Sequence, residues 1–90
     1  MKALRVSSVF KKDLKRIGRR AYSLSKLEAI VGRLRAGGAL PPSAHPHPLK
    51  GAWKSYWDCH IEPDWLLIYR VTEEEVILAR TGTHADIFGR

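Results

Sequence analysis

The amino-acid sequence predicts an α+β fold. An N-terminal strand leads into a two-helix hairpin packed on one face of a curved, mostly antiparallel four-stranded sheet. Three observations predict it. Two stretches in the first half place apolar residues at helical spacing. Three stretches in the second half have strand length and strand patterning, with short turns between them. A brief alternating segment precedes both helices. The order β-α-α-β-β-β leaves two amphipathic helices in need of a partner surface, and a sheet is the natural one. At 90 residues, one domain spanning residues 1–90 is expected.

Each element has its own warrant. In residues 3–7, ALRVS, Leu4 and Val6 alternate with small or polar neighbours. Ser7 or Ser8 then caps a helix. Phe10, Leu14, Ile17 and Ala21 form its apolar face. Lys11, Lys12, Lys15, Arg16, Arg19 and Arg20 form the opposite face. Ser25 to Glu28 has capping-box spacing for a second helix. Its stripe is Leu27, Ile30, Val31 and Leu34, and Gly37-Gly38 stops it.

Residues 40–51, LPPSAHPHPLKG, carry four prolines and read as loop. Residues 52–61 read as a strand with Trp53, Trp57, Cys59 and Ile61 on one face, the tryptophans in the core. Lys54, Tyr56, Asp58 and His60 share its other face. Glu62-Pro63-Asp64 turns the chain. Residues 65–71, WLLIYRV, are apolar on both faces, as a central strand requires. Residues 75–81 form the last strand, and the tail GTHADIFGR follows it. With both helices on one side, the other side of the sheet stays partly open, and a site can form there.

Lys and Arg number 16 against 9 Asp and Glu, a formal charge of +7. So strong a field on a short chain attracts phosphate polymers, anionic membranes or acidic proteins, or simply keeps the chain soluble. A hydrophobic fraction of 44% argues against disorder. The single Cys59 excludes an internal disulfide and a four-thiolate zinc site. The opening MKALRVSSVFKK has no long apolar run, so neither a signal peptide nor a membrane span is expected, and a cytoplasmic location is.

The stretch from Asp58 to Asp64 crowds two Asp, a His and a Glu into seven residues, just before the most apolar segment. Period-two geometry puts Asp58 and His60 on one face, roughly 7 Å apart. Asp64 sits across the turn from His60. The last strand runs back toward that turn and brings His84 near His60 and Asp64, while the proline-rich loop decides the place of His47. Two imidazoles flanking a phosphodiester can take a proton from a 2′-hydroxyl and give one to the departing 5′-oxygen. A carboxylate beside an imidazole fixes its tautomer, nearby Lys or Arg stabilise the phosphate charge, and Trp65, Tyr56 or Phe88 can stack on bases. Each residue also has a plainer role: His45 a solvated loop residue, His60 a satisfied strand histidine, Asp64 a turn former, Phe88 a tail anchor, the basic helix face a solvated surface. A zinc site is the weaker alternative, since the spacings match no strong metal motif.

The stretch HPLKGAWKSYWDCHIEPDWLLIYRV, with the later RTGTHADIF, closely resembles the YafQ branch of the RelE/ParE toxin superfamily. The resemblance is carried by residues 47–65 and 80–88. It implies a toxin of a type II toxin–antitoxin system that enters the ribosomal A site and cuts mRNA by 2′-hydroxyl attack without a metal or other cofactor. It also implies a cognate antitoxin, contact with the 70S ribosome and its RNA, and operator DNA bound only through the toxin–antitoxin complex. The family's functional positions fall on His47, His60, Asp64, His84 and Phe88, with Asp58 and Trp65 in support. His84 would be the general acid and His60 with Asp64 the base-side or phosphate-orienting pair, and these roles can be exchanged. Lys11, Lys12, Lys15, Arg16, Arg19, Arg20, Lys50, Lys54 and Arg80 would meet RNA. His45 is an additional imidazole beside the motif. The competing expectation is a non-catalytic module that holds RNA or an antitoxin.

Overall fold

The computed structural model describes residues 1–89. Five strands and three helices follow in the order β1 (Ala3–Val6), α1 (Ser8–Arg19), α2 (Leu24–Arg35), β2 (His47–Pro48), β3 (Trp57–Glu62), β4 (Trp65–Val71), β5 (Glu75–Gly82) and α3 (His84–Phe88). Strand order is β1-β5-β4-β3-β2. Only β1 pairs in parallel, with β5; the remaining pairs are antiparallel. The expected α+β architecture is present with one strand more than the four expected. The addition is β2, where His47 pairs with Asp58 and Pro48 with Trp57. A proline is tolerated there because the strand lies at the sheet edge, where its missing N–H breaks no ladder.

Ser7 is the cap of α1. Its hydroxyl accepts from the Phe10 N–H at 2.9 Å and donates to the Ala79 carbonyl at 2.8 Å, which ties the helix start to β5. The expected box at Ser25 does not form. Helix α2 begins earlier, after Ser23, and the Ser23 and Ser25 hydroxyls bond each other at 2.8 Å. Phe10 and Ile17 from α1, and Leu27, Ile30, Val31 and Leu34 from α2, pack on Cys59, Trp65, Leu67, Tyr69, Val76 and Leu78 of the sheet. β4 is central, as its two-sided apolar pattern required, and Leu66 and Ile68 on its opposite face are also fully buried. Burial pushes the Cys59 thiol up to about 12, so it is an inert packing group.

The strand expected over 52–61 starts only at Trp57, after a helical turn at Gly51–Trp53. Trp57 is therefore at the start of β3 and 41% exposed, outside the core expected of it. Trp53 is half-buried and packs edge-on against Tyr56 at 5.5 Å. Among the described residues no helix is long and apolar enough to cross a membrane.

Candidate active site

His84 is the first residue of α3, a short helix that the sequence marks at both ends. The Thr83 hydroxyl accepts from the Asp86 N–H at 3.1 Å, and the Asp86 carboxylate accepts from the Thr83 N–H at 3.0 Å, a complete capping box. Gly82 makes the turn into it. Its φ is +151°, and a Cβ there would lie 2.9 Å from Asp86. Asp86 is held further by Arg20, the C-cap residue of α1, whose guanidinium donates at 2.6 and 3.2 Å. Arg20 holds the Asp86 carboxyl well below the usual range, at about 2. Beneath the helix, the buried Asp13 carboxylate accepts from Arg80 at 2.7 and 3.1 Å and from the Thr81 N–H at 3.2 Å. Arg80 in turn donates to the Asp86 carbonyl at 3.3 Å.

The turn between β3 and β4 then meets the start of α3. Asp64 Oδ1 lies 2.5 Å from His84 Nδ1 and accepts from the His84 N–H at 3.0 Å. The His84 side chain is the chief cause, and its backbone N–H the next, of an Asp64 carboxyl below its ordinary range. With Nδ1–H fixed on Asp64, Nε2 is the nitrogen left for chemistry. His84 thus approaches Asp64 as the strand directions led one to expect, and the pair of Asp64 with His60 implied by the resemblance is corrected: the carboxylate serves His84, because the α3 cap brings that residue onto the turn. The His60 ring lies edge-on to His84 on one side and to His45 on the other, 5.9 Å from each. The register between β3 and β4 shifts just after His60, a bulge of the kind that re-aims side chains beside functional sites.

A second imidazole–carboxylate pair lies on the adjoining strand edge. His47 Nδ1 lies 3.0 Å from the His45 carbonyl and donates to it, and Nε2 lies 3.2 Å from Asp58 Oδ1. His45 makes this possible by turning the chain with φ 45°, in the left-handed region. Asp58 is buried, and burial raises its carboxyl pKa against the opposing pull of His47, then His60 and His84. The Oδ1 contact lies within ion-pair reach, yet that oxygen has no well-formed hydrogen bond.

His47, Leu49, Asp58, His60, His84 and Phe88 line one open cleft of about 470 Å³. Of the residues singled out in the sequence, it gathers His47, Asp58, His60, His84 and Phe88, and Asp64 stands behind His84. Trp65 does not reach it. The side chain is fully buried, stacks on Tyr22 at 4.8 Å, and donates from Nε1 to Thr81 Oγ1 at 2.9 Å, so it is no platform for bases. Arg80 is likewise engaged internally by Asp13, and Arg16 and Arg20 face Asp13 and Asp86. Lys11, Lys12, Lys15, Arg19, Lys50 and Lys54 are exposed and make no ion pair among the described residues.

Sequence reading overlooked Leu49, the contact of His45 with His60, and α3 itself. The Thr83-x-x-Asp86 spacing carried the signal for the helix. Nothing in the sequence pointed to Leu49. Among the described residues no group of three or more His, Cys, Asp or Glu is placed to hold a metal ion.

The family model described as "Bacterial toxin of type II toxin-antitoxin system, YafQ" matches residues 2–89. A protein of Escherichia coli K12 named "mRNA interferase toxin YafQ" is 42% identical over 85 residues, covering 92% of this chain and 91% of that protein. YafQ in the crystal structure of the E. coli DinJ-YafQ toxin-antitoxin complex superposes with a TM-score of 0.90 at 39% identity, covering 98% of each chain. A metal-bound toxin from Helicobacter pylori superposes with a TM-score of 0.91 at 37% identity, covering 98% of this chain and all of that one. Matched along nearly its whole length in both sequence and fold, the chain belongs to the YafQ family of bacterial toxins of type II toxin–antitoxin systems.

Proposed function

We propose that the protein is an mRNA interferase that cuts mRNA in the ribosomal A site, acting in the bacterial cytoplasm. The observation that carries this reading is the meeting of two imidazole–carboxylate pairs, His84 with Asp64 and His47 with Asp58, at one cleft with His60 between them. A phosphodiester lying in that cleft has groups on hand for both proton transfers of strand cleavage. One imidazole takes the proton of the 2′-hydroxyl. The 2′-oxygen then attacks phosphorus, the bond to the 5′-oxygen breaks, and a second imidazole protonates the departing oxygen. The products are a 2′,3′-cyclic phosphate and a 5′-hydroxyl end. His84 Nε2 is the general acid in this scheme, since Asp64 holds the ring by Nδ1 and leaves Nε2 to donate. His47 or His60 takes the first proton, and Phe88, partly exposed at the cleft, packs on a base.

This chemistry asks for no metal or other cofactor. The unpaired cations of α1 and the loop, Lys11, Lys12, Lys15, Arg19, Lys50 and Lys54, would meet ribosomal RNA. A cognate antitoxin would neutralise the protein, as the complex of E. coli YafQ with DinJ suggests by similarity, and operator DNA would be reached only through that complex.

The test is a ribosome programmed with a defined mRNA, the cut ends mapped and their chemistry assigned. A cut within the A-site codon leaving a cyclic phosphate, lost by at least about 100-fold in His84→Ala, is the expected result. Uncut mRNA on several A-site codons, with RNA binding kept after removal of the histidines, would instead favour a non-catalytic binding module.

A further inference from the structure

A second cavity adjoins the candidate active site. It measures about 720 Å³ and lies beside the end of β3, between α2 and the segment Pro41–His45. His60 lines both cavities, so the two are continuous through one side chain. The lining is apolar along Ala29, Ile30, Ala44 and Ile61, with Pro41 and Pro63 beside them. The remainder is polar. Ser43 and His45 come from the loop, and Lys26 and Arg33 stand two turns apart on α2. Lys26 is neutralised by Glu62 at 3.0 Å. Arg33 has only the Ala39 carbonyl at 3.3 Å and keeps an exposed, unbalanced charge.

An apolar surface with a free guanidinium suits a nucleobase and its phosphate. The volume lies within the range of about 300–1,000 Å³ typical of small-ligand sites, enough for one nucleotide. The Glu62 carboxylate can accept from an exocyclic amino group, as acidic side chains do from cytosine. We propose that this cavity is a nucleotide subsite: it takes the base next to the scissile phosphate of the cut strand, with Arg33 on the backbone and Glu62 and Ser43 at the base edge. The proposal rests on the nuclease reading of the neighbouring cleft, and it adds a place where sequence preference is set.

Ala29→Trp fills the cavity from an exposed position of α2, and Arg33→Ala removes the free charge. Both variants are compared with wild type on ribosomes carrying mRNAs that are intact or abasic at single positions on either side of the mapped cut. Wild type should lose roughly 10- to 100-fold in cutting rate when the base is missing at one of those positions. Ala29→Trp should lose a similar factor on intact mRNA and little more on the abasic one, because the two changes remove the same contact. Arg33→Ala should raise the protein concentration for half-maximal cutting.

Wild-type behaviour from both variants overturns the proposal. So do losses that simply add at every position, which would place ribosomal RNA against this surface, or a loss confined to antitoxin affinity. A wild-type protein that cuts nothing overturns the nuclease reading instead. The subsite is then decided by photocrosslinking 4-thiouridine from the same mRNA positions: crosslinks in residues 26–33 or 41–45 support it, and their absence overturns it.

Discussion

Asp64 touches His84 at both the ring Nδ1 and the backbone N–H, at 2.5 and 3.0 Å, so the carboxylate fixes where the imidazole sits as well as its tautomer. Its depressed pKa keeps it charged throughout the range in which an imidazole titrates. Asp64→Asn removes that charge and leaves the turn nearly isosteric. The ring then loses the acceptor that fixes its position and tautomer, so the cutting rate near neutrality should fall about 10-fold or more. An unchanged rate measured on programmed ribosomes would remove Asp64 from the mechanism. His47, His60 and His84 were legible as candidates because imidazoles beside carboxylates are chemically conspicuous in a short chain. The approach of His84 to Asp64 was legible too, because the last strand runs back toward the turn. That Asp64 serves His84 rather than pairing with His60, four residues away, was not, since that contact depends on a helix cap twenty residues on. Trp65 misled for a related reason: an aromatic at a strand start reads equally as platform or core, and only the packed Tyr22 ring and the Thr81 hydroxyl settle which it is.

At the scale of elements, α3 is five residues long and cannot be stable on its own propensity. It is held by the Thr83–Asp86 box and by Arg20 across from α1. The sign of its pH dependence follows from Asp86. The folded carboxyl titrates at about 2, below an unfolded value near 4, so its contribution is complete above the unfolded pKa and is lost as pH falls through the folded one. Asp86→Asn should therefore destabilise by about 1 kcal/mol near neutrality, after allowance for solvent at the half-exposed Arg20. The difference from wild type should shrink between roughly pH 4 and pH 2. Urea midpoints across that range measure it, and a constant difference would mean that the carboxylate charge contributes nothing. The long elements were legible because WLLIYRV and the two helical stripes repeat cleanly over their lengths. β2 and α3 were not, since two residues carrying a proline, or a five-residue tail, give no period to read; the first exists only as an edge partner of β3 and the second only through its caps.

The whole molecule carries +7, but its cations divide into two populations that sequence alone cannot separate. Arg80, Arg20 and Arg16 face Asp13 and Asp86 and bind α1 to β5 and α3. Lys11, Lys12, Lys15 and Arg19 extend along the exposed side of α1 without acidic partners. Only the second population is free to displace counterions from RNA. If each of its members neutralises one phosphate, replacing Lys11, Lys12 and Lys15 together by alanine should weaken ribosome association. It should also flatten the dependence of log affinity on log salt by roughly 2 to 3 units. The alanine variant should keep its thermal stability, because these side chains are exposed and hold nothing in place. Arg80→Ala should do the reverse. It leaves the buried Asp13 carboxylate short of its main donor, a loss of about 3 kcal/mol or more, with no change in salt slope while the protein stays folded. Ribosome sedimentation at several salt concentrations, paired with urea unfolding, measures both quantities. A triple alanine variant with the wild-type slope would place the RNA contact elsewhere on the molecule and leave Lys50, Lys54 and the exposed Arg33 as the cations to test next.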